Sequence, residues 1–174
     1  MKKLHLAFVL LFTCLLAGCA STPAEPVKLD RFVFDENGYS CEAAPYGITP
    51  EELEESTGTA MEDRGSPPNT PFPYNSYYST SAIELIGLSG KTDAQFTEED
   101  GLFAFTFKAR FLRDVAEKNY ANISDCFIEA FGEPAKTSDN GMGLKVLEWQ
   151  DKKSGTAMMI SYSDLGTTDP SFQI

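Results

Sequence analysis

The chain is predicted to fold as an α+β domain, an antiparallel sheet with two helices on one face. Three observations carry this. Leu102 to Phe111 alternates strictly: Phe103, Phe105, Phe107, Ala109 and Phe111 fall on one side, and Ala104, Thr106, Lys108 and Arg110 on the other. That is the period of a half-buried antiparallel strand. From about Arg113 to Phe131 the period changes to helical, with Val115, Tyr120, Ile123, Phe127, Ala130 and Phe131 recurring at mostly three- and four-residue steps. Helix, glycine, loop and hairpin then follow one another twice, from Thr49 to Phe111 and from Arg113 to Ser163, so the domain reads as two αββ repeats.

The elements follow in order. Asp30 to Phe34 reads as a short strand ending in the turn Asp35-Glu36-Asn37-Gly38. Its acidic residues lack the spacing of a calcium loop. Gly47-Ile48-Thr49-Pro50-Glu51-Glu52-Leu53 is a complete helix start. Thr49 is the N-cap, Pro50 stands at the first helical position, and Glu52 closes a capping box. Ile48 and Leu53 occupy the staple positions, and Gly58 marks the stop. Residues 65–79 hold four prolines among Phe72, Tyr74, Tyr77 and Tyr78. This reads as an ordered connection with little capacity to join a ladder, or as an exposed aromatic loop that contacts a partner.

Ser81 to Leu88 and Ala94 to Thr97 read as strands, the second entering a turn at Glu98-Glu99-Asp100-Gly101. Gly132 and Pro134 stop the second helix. Ser138 to Gly143 reads as a loop, and Leu144 to Gln150 pairs with Thr156 to Ser163 through the turn at Lys152-Lys153-Ser154-Gly155. Residues 167–174 form a polar tail that frays.

The N-terminus is of a different kind. Met1-Lys2-Lys3 is a basic start, and Leu4 to Leu16 is an apolar stretch shorter than the roughly 20 residues that cross a bilayer as a helix. Leu16-Ala17-Gly18-Cys19 follows. This resembles the signal and lipobox of bacterial lipoproteins. The resemblance implies cleavage before Cys19, a diacylglyceryl thioether on its sulfur and an acylated amino group. Such a chain is anchored in a cell or outer membrane on the extracytoplasmic side. The expected organisation is a signal peptide over 1–18, a tether over 19–29, a single domain over 30–166 and the tail. The tether, when extended, reaches at most roughly 30 Å.

Cleavage removes Lys2 and Lys3, taking the formal charge of −12 to −14, and removes His5, the one histidine. A mature chain without imidazole excludes Ser-His-Asp and Cys-His nucleophiles, His-ligated zinc and a histidine base. Its acidity argues against nucleic-acid partners. No cofactor or metal set is visible in the sequence. Cys41 and Cys126 remain as a candidate disulfide, worth about 4 kcal/mol in the chain-entropy model, or as two separate buried thiols. No C-x-x-C occurs.

Gly47 to Leu53, and Phe131-Gly132-Glu133-Pro134 with the Trp149 strand, resemble at fold level the β-lactamase-inhibitor protein and the small lipoproteins of outer-membrane assembly. No binding residue follows from that likeness. The expected function is a non-catalytic binding or assembly module, not an enzyme, with a protein partner in the envelope and Phe72, Tyr74, Tyr77 and Tyr78 as its contacts. Two alternatives stand beside it. One is a carrier of an apolar ligand. The other is a wall-glycan hydrolase using carboxylates such as Glu98, Glu99 and Asp100, which are also read as a solvated hairpin tip.

Overall fold

The computed structural model describes residues 27–68, 70–166 and 169–174. The lipobox and Cys19 lie outside the described residues. The domain is α+β, with two helices, a two-stranded hairpin and a nine-stranded antiparallel sheet.

β1 (Phe32–Asp35) and β2 (Gly38–Cys41) form the hairpin around the expected Asn37 turn. α1 (Pro50–Thr57) begins as the capping box requires. The Thr49 hydroxyl accepts from the Glu52 N–H at 3.3 Å, and the Glu52 carboxylate accepts from the Thr49 N–H at 2.8 Å. Gly58 closes the helix in the left-handed region, its N–H reaching the Glu54 carbonyl. The first repeat continues as β3 (Met61–Asp63), β4 (Asn75–Ser79), β5 (Ile83–Leu85), β6 (Leu88–Thr97) and β7 (Gly101–Arg110). The second comprises α2 (Ala116–Phe131), β8 (Lys136–Asp139), β9 (Leu144–Asp151), β10 (Thr156–Ser163) and β11 (Ser171–Gln173).

The strand order is β3-β4-β6-β7-β11-β10-β9-β8, with β5 paired to β6. α1 is therefore followed by five strands, β4 and β5 both lying along β6, and α2 by a four-stranded meander, rather than each by a single hairpin. The two halves meet at β7 and β11 in mirrored order. The short outer strands β3 and β8 lack the alternation that reveals a strand in sequence, so the repeat reads there as αββ.

Several expectations need correction. Asn75–Ser79 is a strand, because all four prolines precede it and bar only the positions they occupy. The run from Ser81 to Leu88 is broken by a two-residue turn at Ile86-Gly87, both at positive φ, so β5 and β6 form their own hairpin. Lys136–Asp139 is a strand, with only Asn140 to Gly143 left as loop. The supposed tail supplies β11, the central strand, and Phe172 is 0% exposed. Polar neighbours on both sides of that one phenylalanine conceal it. Val27 and Leu29 pack against the core, so the last part of the expected tether belongs to the domain.

Both helices lie on one face of the sheet. Leu53 of α1 packs on Ala94, Phe96 and Leu102. α2 lays Tyr120 on Tyr162 and Phe127 on Trp149, with ring centroids 5.2 Å and 6.0 Å apart. Thr92, facing Phe107, shares its side of β6 with Ala94 and Phe96, which joins the two clusters into one inner surface. The β1–β2 hairpin covers this face beside α2, with Phe32 on Phe127 and Tyr39 on Phe131. It also ties the repeats together. The Ser56 hydroxyl of α1 donates to the Ala43 carbonyl, and the Tyr39 N–H donates to the Thr156 hydroxyl of β10. Cys41 is buried in β2 and Cys126 half-buried on α2; both are free thiols. Burial pushes the Cys41 thiol above its ordinary pKa.

Candidate aromatic site at a bulge in the central sheet

The register between β6 and β7 shifts by one residue. Gln95 faces Ala104, but Phe96 faces Leu102, which leaves Phe103 as the extra residue of a β-bulge. Beyond the bulge Phe105, Phe107 and Ala109 point inward as the alternation predicts. Before it Leu102 takes the inward place, 1% exposed. Phe103 is therefore released from the core stripe to which its spacing assigned it.

Its ring meets the proline loop. Phe103 stands edge-on to Phe72 at 5.7 Å and to Tyr74 at 5.6 Å, and Phe72 lies 5.9 Å from Tyr74. The three rings brace one another, in arrangements that bring ring edges onto faces. Phe72 remains 49% exposed. The loop is laid back on β4 by bonds from the Arg64 N–H to the Ser76 carbonyl and from the Ser76 N–H to the Gly65 carbonyl. The Ser66 hydroxyl donates to the Asn75 side-chain oxygen at 2.8 Å.

These rings border an open cavity of about 610 Å³, completed by Ser66, Asn75, Thr97 and the hairpin tip Glu98-Glu99-Asp100. The Asp100 N–H is held by the Thr97 hydroxyl at 2.9 Å. The three carboxylates are exposed, and none forms an ion pair among the described residues. The tip is fixed from the other side. Leu102 exchanges both backbone bonds with Gly47 and Ile48, and Gly101 (φ +71°) comes so close to Gly47 that an added Cβ would lie 2.5 Å from its carbonyl oxygen.

The expected aromatic contacts divide. Phe72 and Tyr74 belong to the cavity. Tyr77 points inward, its ring 5.2 Å from Phe96 and near the α1 cluster. Burial, then the nearby Asp63 and Glu51 carboxylates, push its hydroxyl pKa up. Tyr78 points the opposite way, beneath Arg64 and Lys108 at 5.7 Å and 5.9 Å, with Lys108 paired to Asp93 at 3.1 Å. Strand alternation separates Tyr77 from Tyr78 once the segment is known to be β4. Phe103 is the site residue that sequence reasoning missed. Its signal was the adjacent apolar pair Leu102-Phe103, which cannot both face inward in an unbroken strand.

Chemically, the cavity offers aromatic faces and edges, an amide, hydroxyls and uncompensated negative charge. That set suits a cationic side chain or a flat hydroxylated ring. Among the described residues no group of three or more His, Cys, Asp and Glu side chains is placed to hold a metal ion. No helix among them is long and apolar enough to cross a membrane. Comparison with protein-family models, with curated proteins and with solved structures finds no match.

Proposed function

We propose that the chain is a lipid-anchored, non-catalytic binding module of the bacterial cell envelope, and that it holds a protein partner at the Phe72–Tyr74–Phe103 cavity. The observation that carries the binding half is the bulge. A phenylalanine whose place in the strand would be core is instead turned out to brace two loop aromatics beside unpaired carboxylates. Partly exposed aromatics backed by a rigid sheet are the usual anchors of a protein interface. A basic, aromatic-tolerant partner surface complements them.

The alternatives have less support. A hydrolytic acid is kept protonated by burial or crowding, whereas Glu98, Glu99 and Asp100 are exposed on a turn. The cavity between the β1–β2 hairpin and the inner sheet face holds about 80 Å³, the room of a small side chain and not of an acyl chain.

Two experiments test the proposal. Crosslinking in intact cells should recover a partner with the native protein, and recovery should fall about tenfold or more with Phe72→Ala and Phe103→Ala combined. The thermal midpoint of that variant should stay close to the native one, because both rings lie outside the two core clusters. Undiminished recovery would remove the cavity from the function. Separately, the intact mass of protein taken from its native membrane should show a chain beginning at Cys19 and bearing acyl chains. An unmodified chain beginning at Met1 would remove the anchor.

A further inference from the structure

One row of the sheet marks one end of the domain. Arg110 of β7 faces Ser171 of β11, and Ser163 of β10 faces both Ser171 and Leu144 of β9. Three turns lie just beyond this row, and each carries one large apolar side chain outward. Leu112, Met142 and Leu165 are 74%, 75% and 67% exposed, the highest values for large apolar side chains among the described residues. None of the three belongs to either core cluster.

Asp164 fastens the three turns together. Its N–H donates to the Gly143 carbonyl at 2.8 Å. Its carboxylate accepts from the Arg113 guanidinium at 2.8 Å and from the Gly166 N–H at 3.0 Å. Gly143 (φ +95°) comes so close that an added Cβ would run into the Asp164 carbonyl oxygen. Asn140 shapes the middle turn, its side-chain oxygen accepting from the N–H groups of Met142 at 2.9 Å and Leu144 at 3.0 Å. The Gly141 N–H donates to the Asp139 carboxylate, and the Val115 N–H to the Leu112 carbonyl.

Three properties of this end say what covers it. The backbone is satisfied from inside: the N–H groups of Val115, Gly141, Met142, Leu144 and Gly166 all have partners within the domain. A turn in water does not need this, whereas a turn entering a bilayer does, because no water is left there to bond an unmet group. Charge beside the tips is cancelled in pairs, Arg113 with Asp164 and Lys145 with Glu117 at 3.3 Å, on a chain of net charge −12. Finally, the apolar groups stand as separate points on three turns. A protein interface rewards a continuous surface of matching shape, while fluid acyl chains close around single points.

We propose that this end of the domain docks on a lipid bilayer of electrically neutral headgroups, with Leu112, Met142 and Leu165 entering its interface. The chain's negative charge makes an anionic bilayer the poorer surface. The proposal goes beyond the acyl anchor, because it names the face that the domain turns to the membrane. It is also separate from the aromatic cavity. β7 runs from the hairpin tip beside that cavity to these turns, and its ten residues span about 33 Å. Docking therefore holds Phe72 and Tyr74 at the end facing away from the bilayer, open to a partner.

The test uses the full chain on phosphatidylcholine nanodiscs that carry a nitroxide-labelled lipid, read by the broadening of backbone amide signals. The amides of Leu112, Met142 and Leu165 should lose their signals, while those of Phe72 and Glu99 keep theirs. Leu112→Ser, Met142→Ser and Leu165→Ser combined should restore the three signals. The thermal midpoint of that variant should stay close to the native one, because these side chains lie outside the core clusters. Added phosphatidylglycerol should weaken the broadening. The proposal is overturned if the three amides keep their signals, if the whole domain broadens evenly as it would when tumbling on an anchor, or if the triple variant broadens as before. It is also overturned if phosphatidylglycerol strengthens the effect, which would make charge the attraction. The same holds if the three signals change without lipid as protein concentration rises, which would make a second copy of the chain the occupant. Partner recovery with Phe72→Ala and Phe103→Ala is read separately, so this proposal and the partner cavity can each fail alone.

Discussion

Replacing Trp149 with alanine should be the most damaging single change in the core, lowering stability by about 3–5 kcal/mol. The indole is 1% exposed and lies between β9 and α2, against Phe127. Its Nε1–H also donates to the Gly132 carbonyl at 2.8 Å, so one side chain fills the core and satisfies the backbone at the end of α2. Domains of this size are typically stable by only about 5–15 kcal/mol, so the variant should be partly unfolded or sharply shifted in a urea titration. Trp149→Phe separates the two roles. It keeps most of the apolar volume and leaves the Gly132 carbonyl without its donor, at a cost of about 1–3 kcal/mol. If the two variants melt alike, packing contributes less than the bond to this residue's role.

Gly101→Val should have the second large effect, and it reaches the aromatic cavity. At φ +71° a β-branched residue incurs about 1–3 kcal/mol of backbone strain. The new Cβ would also meet the Gly47 carbonyl at 2.5 Å, the Gly47 carbonyl carbon at 2.7 Å and the Ile48 carbonyl oxygen at 2.8 Å. Those atoms are backbone and cannot turn aside, which adds a further overpacking cost of about 1–3 kcal/mol. Relief requires the hairpin tip to part from the loop before α1. That loosens the two bonds at Leu102 and with them the bulge that places Phe103. Expected results are a lower denaturation midpoint and a loss of partner recovery. A variant with native stability and native recovery would show that the tip is not clamped as described.

Much of the fold was legible in residues whose signal is local. The box at Thr49 and Glu52 acts within one helical turn, and the alternation from Phe105 to Ala109 within one strand. The α2 stripe at Tyr120, Ile123 and Phe127 needs only the helical period. What was not legible depended on partners distant in sequence. Phe172 is a strand residue because Ala109 and Tyr162 stand on either side of it, and nothing in its polar neighbours announces them. Phe103 leaves the core because β6 and β7 slip by one residue, a property of the pair and not of either strand. The prolines at 67, 68, 71 and 73 drew attention away from Asn75–Ser79, whose own residues carry no bar to pairing. Phe72 and Tyr74 could be nominated from exposure-prone composition, whereas their third companion required the slip to be seen.

The mirrored order about β7 and β11 has a consequence for how the molecule relates to simpler proteins. A helix and its strands, set against a second helix and its strands in mirrored order across an antiparallel seam, have the layout of two like halves carried on one polypeptide. In a true dimer the two seam strands would be equal. Here β7 carries the bulge that places Phe103 and β11 carries the fully buried Phe172, so the two strands of the seam serve different ends, one shaping a surface cavity and the other filling the core.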